Sequence, residues 1–280
     1  MYRRDFWDRT RFVLAAAPPM AHDRRRIEPW PLMSGVNERN RFIILTDQRS
    51  GSNHLAGLLD SHRSVRVAGE IFNPDRHHLD PSHELVQGLV DLRGRNPVAY
   101  LEAFFTQPLD DSTTHLGFRI FHDHARDRAE KGVWTALRRM RNLQVIHLRR
   151  GNILRNLLSL KLATRSSEWE RLEGTPPVRY EPLRIEFQEA ISHIKTRERA
   201  FSRGTRFFRR HQRIEILYED LDRDEERTLE GLLGFLGIVR QPLASSTLKQ
   251  NRQSTRELIE NHAELEERFR DTRWHGFFQD

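Results

Sequence analysis

Short, continuous apolar runs alternate along this chain with longer stretches in which apolar side chains return every third or fourth position. The first pattern predicts strands buried on both faces, and the second predicts helices with one apolar side. Residues 41–46 (RFIILT), 65–74 (VRVAGEIFNP), 115–121 (HLGFRIF), 143–150 (LQVIHLRR) and 214–218 (IEILY) carry the strand pattern. The second of these runs out into a loop. Helices are predicted around Leu55, Leu58 and Leu59, over 97–107, around Trp134, Leu137 and Met140, and over 152–163. Two more follow, from Glu186 to near Arg210 and around Leu229, Leu232, Leu233 and Leu236. Residues 164–184 have little pattern and read as a loop or lid. The C-terminal stretch is polar and helical in tendency. Regular alternation of this kind predicts an α/β fold, a parallel sheet covered on both sides by helices. No internal repeat and no clean linker divides it. The expected organisation is a basic, proline-interrupted extension over 1–40, followed by one domain over 41–280.

Composition narrows the chemistry. The 280 residues are 37% apolar, enough to supply a core, and 31% charged, with a net charge of +7. Such a balance attracts anions: nucleotides, sulfated or phosphorylated ligands, nucleic acid or acidic lipid. The Arg24-Arg25-Arg26 triplet leaves open a peripheral contact with an acidic membrane surface. Cysteine is absent, which excludes disulfides, thiolate metal sites and cysteine nucleophiles, and fits a reducing compartment. No segment approaches the roughly 20 apolar residues of a membrane helix. The apolar part of 12–20 (FVLAAAPPM) is short for a signal peptide and has Asp5 and Asp8 before it. A cytoplasmic location is expected.

One stretch carries chemistry by its position. In ILTDQRSGSNHLAGLLDSH (44–62) a buried strand runs through Arg-Ser-Gly-Ser-Asn into a helix. A turn so placed aims backbone N–H groups and the positive end of a helix at one point. Gly51 permits close approach of the backbone, Ser50, Ser52 and Asn53 add donors, and Arg49 adds a charged fork. Taken alone, the same pattern also describes an ordinary N-capped helix. The common ATP cradle needs a second glycine and a lysine, and both are missing here. Where a magnesium-holding aspartate is expected at another strand end, LQVIHL is followed by Arg149-Arg150. Arginines there suit a nucleotide with additional phosphate and a transfer that does not require a metal.

These residues resemble a known family. RSGSNHLAGLLDSHRSVRVAGEIFNP resembles the 5′-phosphosulfate-binding region of sulfotransferases, and VIHLRRGNILRNLLSLKLA resembles their 3′-phosphate-binding region. ILYEDL followed by GFLGI is similar to a later stretch of bacterial carbohydrate sulfotransferases, with R-S-G-S and G-E-x-F elements like those of the nodulation-factor and trehalose-glycolipid branch. The resemblance implies a P-loop-like three-layer fold. It also implies 3′-phosphoadenosine 5′-phosphosulfate as sulfuryl donor, adenosine 3′,5′-bisphosphate as product, and a glycan or glycolipid hydroxyl as acceptor, with no nucleic-acid partner. By position, Ser50, Gly51, Ser52 and Asn53 hold the 5′-phosphosulfate, and Arg49 neutralises charge on the leaving phosphate and the transferring group. Arg150 and Ser159 hold the 3′-phosphate, with Arg149 as a lesser candidate. The two stand one residue further apart than in the cytosolic sulfotransferase pattern, and Gly151 is the candidate to absorb the difference.

The acceptor hydroxyl needs a base within hydrogen-bond reach. Glu70, at the end of a predicted strand, matches the glutamate of the glycolipid branch. His122, also just past a strand, is the rival, since the cytosolic branch uses histidine. Arg119 points to the same end. His124 reads as a surface or loop histidine, and the charges of HRSVR and DRHH as solvated. Trp169 and Tyr180 suit either sugar stacking or lid packing. Two other readings remain open on sequence: a small-molecule kinase of the wider P-loop class, and a non-catalytic nucleotide- or glycan-binding relative.

Overall fold

The computed structural model describes residues 39–74, 85–171, 174–176, 178–247 and 253–279. The arginine triplet, the apolar segment at 12–20 and the DRHH motif lie outside them. Five strands form one sheet in the order β2-β3-β1-β4-β5. They are β1 (Asn40–Thr46), β2 (Val65–Ala68), β3 (His115–Phe121), β4 (Leu143–Arg149) and β5 (Arg213–Leu217), and every neighbouring pair is parallel. The helices are α1 (Ser52–Asp60), α2 (Val90–Arg95), α3 (Pro97–Thr106), α4 (Gly132–Arg139), α5 (Ile153–Ser166), α6 (Phe187–Phe207), α7 (Tyr218–Arg223), α8 (Glu225–Leu236), α9 (Thr255–Leu258) and α10 (His262–Phe269). No helix among the described residues is long and apolar enough to cross a membrane.

The continuous apolar run of β1 follows from its place at the centre of the sheet. Phe42, Ile43, Ile44 and Leu45 are all 0% exposed. Alternation divides them between two cores. Ile43 and Leu45 join Phe118, Ile120, Val145 and the aromatic side of α3 and α4, while Phe42 and Ile44 join Ile146, Ile214 and the leucines of α1 and α8. Gly117 in β3 is required by this packing. A Cβ there would sit 2.4 Å from the Phe42 ring, its neighbour in the register. A third core lies beyond the sheet. There Leu154, Leu158 and Ile194 of α5 and α6 meet Leu258, Leu265, Phe269, Phe277 and Phe278 from the C-terminal helices.

Because β2 and β3 lie on one side of β1 and β4 and β5 on the other, chain direction reverses around β1 and β4. In open α/β sheets the crevice beyond the strand ends at such a point is where ligands bind.

Candidate active site

At the end of β1 the chain passes through Arg49 and Gly51 with φ of 62° and 81°. A left-handed arginine stores about 1–3 kcal/mol of strain that the surrounding fold must hold. Glycine at position 51 has two causes. Its φ disfavours a side chain, and a Cβ would stand 2.3 Å from Cδ2 of Tyr218. Gly51 caps α1 without a side-chain hydrogen bond, and a helix N-terminus of this kind can offer its leading N–H groups to an anion. Ser50 and Ser52 are buried beside it.

The second loop approaches from β4. Strand alternation sends its two arginines apart. Arg149 stacks on Phe201 of α6, 4.9 Å from the ring centroid, whereas Arg150 stacks on Tyr218 at 5.0 Å. Only Arg150 lines the cleft with Arg49, Gly51, Ser52 and Asn53. Gly151 and Asn152 donate their backbone N–H groups to Glu219, at 2.7 and 3.0 Å, which fixes the turn into α5. Asn152 then caps α5 by accepting from the Arg155 N–H. Ser159, on the second turn of that helix, lines the same cleft as Arg150. Arg49 Nε donates to Ser159 Oγ at 3.0 Å. Its Nη1 donates to the carbonyl of Trp169.

The cleft has a volume of ≈ 460 Å³, within the range of about 300–1,000 Å³ typical of small-molecule sites. Burial, and then the neighbouring Arg150 charge, hold the Arg49 guanidinium below the ordinary arginine range. Burial does the same to Arg150. Both stay charged, and both gain from an anion set between them. Arg150 Nε is buried with no hydrogen-bond partner, a state that a bound phosphate oxygen would relieve.

Glu70 follows β2 on the same edge. Its Oε2 accepts from Asn73 Nδ2 at 2.8 Å, and Oε1 lies 3.6 Å from Arg119 Nη1. The same Arg119 Nη1 donates to Asn53 Oδ1 on the first turn of α1. One guanidinium thus joins Glu70 to the wall of the cleft. His124 corrects the surface reading. It is 2% exposed, and its Nε2 lies 3.9 Å from Glu70 Oε2. The β3–α4 connection folds it inward because the Trp134 indole N–H donates to its carbonyl at 2.8 Å.

His122 stands elsewhere. It is buried, with Nδ1 3.0 Å from Asp47 Oδ1 and Nε2 3.0 Å from His147 Nε2. Arg197 Nη1 also donates to Asp47, at 2.9 Å. Burial, and then the neighbouring His122, hold His147 well below the usual histidine range, and a single proton is shared across the contact between the two Nε2 atoms. Both His122 nitrogens are therefore engaged, and the residue does not line the cleft that gathers Arg49, Arg150 and Ser159.

Other expectations sort cleanly. His62, read as solvated, is buried. The Ser64 N–H donates to its Nδ1 and its Nε2 donates to the Val239 carbonyl, closing the turn between α1 and β2. Tyr180 packs in the third core with its hydroxyl on Glu168, while Trp169 is 46% exposed and lines the cleft. Tyr218, expected as the last strand residue, instead opens α7. It and Glu219 are the site residues that pattern alone missed. The one trace in the sequence was YEDL, a polar stretch directly after a strand.

The chain is similar to known proteins in sequence and in fold. Residues 42–242 match the model of the Sulfotransferase family. Nodulation protein H of Rhizobium tropici is 28% identical over 250 residues, covering 85% of this chain and 92% of that one. Nodulation protein H of Rhizobium meliloti (strain 1021) is 26% identical over 247 residues, covering 85% and 94%. Among solved structures, a sulfotransferase from Alicyclobacillus acidocaldarius aligns at a TM-score of 0.45 with 17% identity, over 87% of this chain and 96% of that one. The sulfotransferase domain from the curacin biosynthetic pathway aligns at 0.44 with 15% identity, over 74% and 77%. With its motifs in order inside the matched span, this chain belongs to the sulfotransferase family.

Proposed function

We propose that the enzyme uses 3′-phosphoadenosine 5′-phosphosulfate as its sulfuryl donor and a carbohydrate or glycolipid hydroxyl as acceptor, within one domain over 41–280. The observation that carries the donor assignment is the meeting of Arg49, Arg150 and Ser159 with the uncapped N-terminus of α1 in one cleft. Two charged clusters there suit a nucleotide with anionic groups at both its 3′ and 5′ positions, and the unpartnered Arg150 Nε supports the fit. The acceptor class rests on the R-S-G-S and G-E-x-F resemblance, and the absence of cysteine supports a cytoplasmic setting.

The donor supplies a sulfuryl group attached to a phosphate leaving group. The α1 N–H groups, Ser50, Ser52 and Arg49 hold that end and meet the negative charge that grows on the departing phosphate. Arg150 and Ser159 hold the 3′-phosphate. Glu70 takes the proton of the acceptor hydroxyl. Its carboxylate is partly exposed and tied through Arg119 to the wall of the cleft, whereas His122 is buried between Asp47 and His147, which supports Glu70 as the base. Arg119 acts as a positioning residue that ties the base to α1.

Titration calorimetry with adenosine 3′,5′-bisphosphate, with and without magnesium, tests this reading. Metal-independent binding, tighter than that of ADP, is expected. Absence of binding, or preference for magnesium-ATP, would overturn it.

A further inference from the structure

A second cleft, of ≈ 670 Å³, opens between the β3–α4 connection, α4 and α6 and shares no lining residue with the first. Six arginines line it: Arg126, Arg138, Arg197, Arg203, Arg206 and Arg209. Asp47 and Asp123 are the acidic residues in its wall. The Asp47 carboxylate is already held by Arg197 and His122. None of the other five arginines forms an ion pair within 4.0 Å among the described residues.

A solubilising surface scatters its charges among opposite ones, but this wall concentrates them. On α6, Arg197 and Arg203 flank the small residue Ala200, and Gly204 and Phe207 follow along the same wall. Stacking holds two of the guanidinium groups. Arg126 lies 3.7 Å from the centroid of the Trp134 ring and donates to the His122 carbonyl at 2.9 Å, and Arg138 lies 5.4 Å from the centroid of Phe207. Burial, and then the charge of Arg203, lower the pKa of Arg126, so like charges crowd one another. Arg197 Nε is buried without a partner. Asp123 offsets only part of this repulsion, and five arginines without an ion pair beside an unfilled buried donor are the arrangement that an anion completes.

We infer that this cleft is a second anion site that takes a ligand bearing at least two linked phosphate or sulfate groups. A bidentate guanidinium fork takes two oxygens of an oxyanion, and six arginines offer more donors than the oxygens of one such group can accept. Nothing in the proposed transfer uses these side chains, so the site stands or falls independently of the donor assignment.

Titration of the full chain with inorganic triphosphate tests it. Binding is expected, and one triphosphate per chain should still bind in Arg150→Ala, which weakens the first cleft. Arg203 and Arg206 are exposed on α6, so Arg203→Glu with Arg206→Glu should keep the melting temperature while weakening binding about ten-fold or more. Arg199→Glu, on the same helix but outside the cleft, serves as the charge control and should leave binding unchanged. Loss of binding in Arg150→Ala, or equal loss in the control, would overturn the proposal. A parallel arm uses vesicles containing phosphatidylglycerol. Vesicle capture that depends on Arg203 and Arg206, without binding of free triphosphate, would also overturn it and assign the arginines to a membrane surface instead.

Discussion

Arg49 and Ser159, 110 positions apart, are joined by a 3.0 Å hydrogen bond from Nε to Oγ. The bond spans the two loops that meet across the first cleft, so each loop helps to set the other. Arg150→Ala should weaken adenosine 3′,5′-bisphosphate by about ten- to a hundred-fold, the worth of charge-assisted hydrogen bonds. Arg150→Lys should recover little of this, because an ammonium lacks the planar fork. Ser159→Ala should cost less, by about ten-fold or below, since one neutral hydroxyl is lost. Calorimetric dissociation constants separate the three.

Glu70→Gln should keep bisphosphate affinity and lose turnover by about 10²–10⁴, the usual contribution of a positioned base. His122→Asn should do the reverse. It breaks the Asp47–His122–His147 chain, so unfolding stability should drop by about 1–3 kcal/mol while turnover per folded molecule is kept. Sulfuryl-transfer rates alongside denaturant titrations decide between these residues. A turnover collapse in His122→Asn with full stability would transfer the base role to the histidine.

Gly51→Ala should abolish donor-site binding, both through the φ of 81° and through the clash with Tyr218. Pairing it with Tyr218→Ala removes only the clash. The double variant should regain part of the lost melting temperature but little affinity, because the left-handed turn remains strained by about 1–2 kcal/mol and the platform under Arg150 is gone. Thermal shift with and without bisphosphate measures both effects.

Acid should destabilise the fold in a defined window. Burial pushes His124 down from 6.5 to about 4, and His193 likewise to about 4. The unfolded chain takes up these protons near pH 6.5 while the folded chain does not. Stability is therefore full above that value and falls as pH drops from 6.5 towards about 4. His124 alone accounts for about 3 kcal/mol at the acid end, at 1.36 kcal/mol per pKa unit. His124→Gln should flatten that part of the slope in urea unfolding measured across the window.

Much of this was legible in the chain. RFIILT is apolar throughout because both its faces are covered, and the strand–turn–helix after it was readable, although Arg-Ser-Gly-Ser by itself fitted an anion loop and an ordinary N-capped helix alike. Period-two alternation also separates Arg149 from Arg150, since Arg150, just past β4, continues the side of Ile146 and Leu148. Two features were not readable. The burial of His124 depends on Trp134 meeting its carbonyl from another element. The end of β5 at Leu217 likewise depends on a long-range contact, because the Tyr218 ring has to pack over Gly51. Local propensity carries no information about either partner.

That contact has a consequence for synthesis. The loop at Gly51 emerges early, yet the ring that packs against it and the carboxylate that pins the second loop belong to Tyr218 and Glu219. Non-local closures of this length form late in folding. A nascent chain or proteolytic fragment that stops short of Glu219 holds every residue of the R-S-G-S motif and still lacks a finished grip. Binding of the proposed donor would thus report that the ribosome has delivered β5 and the two residues after it.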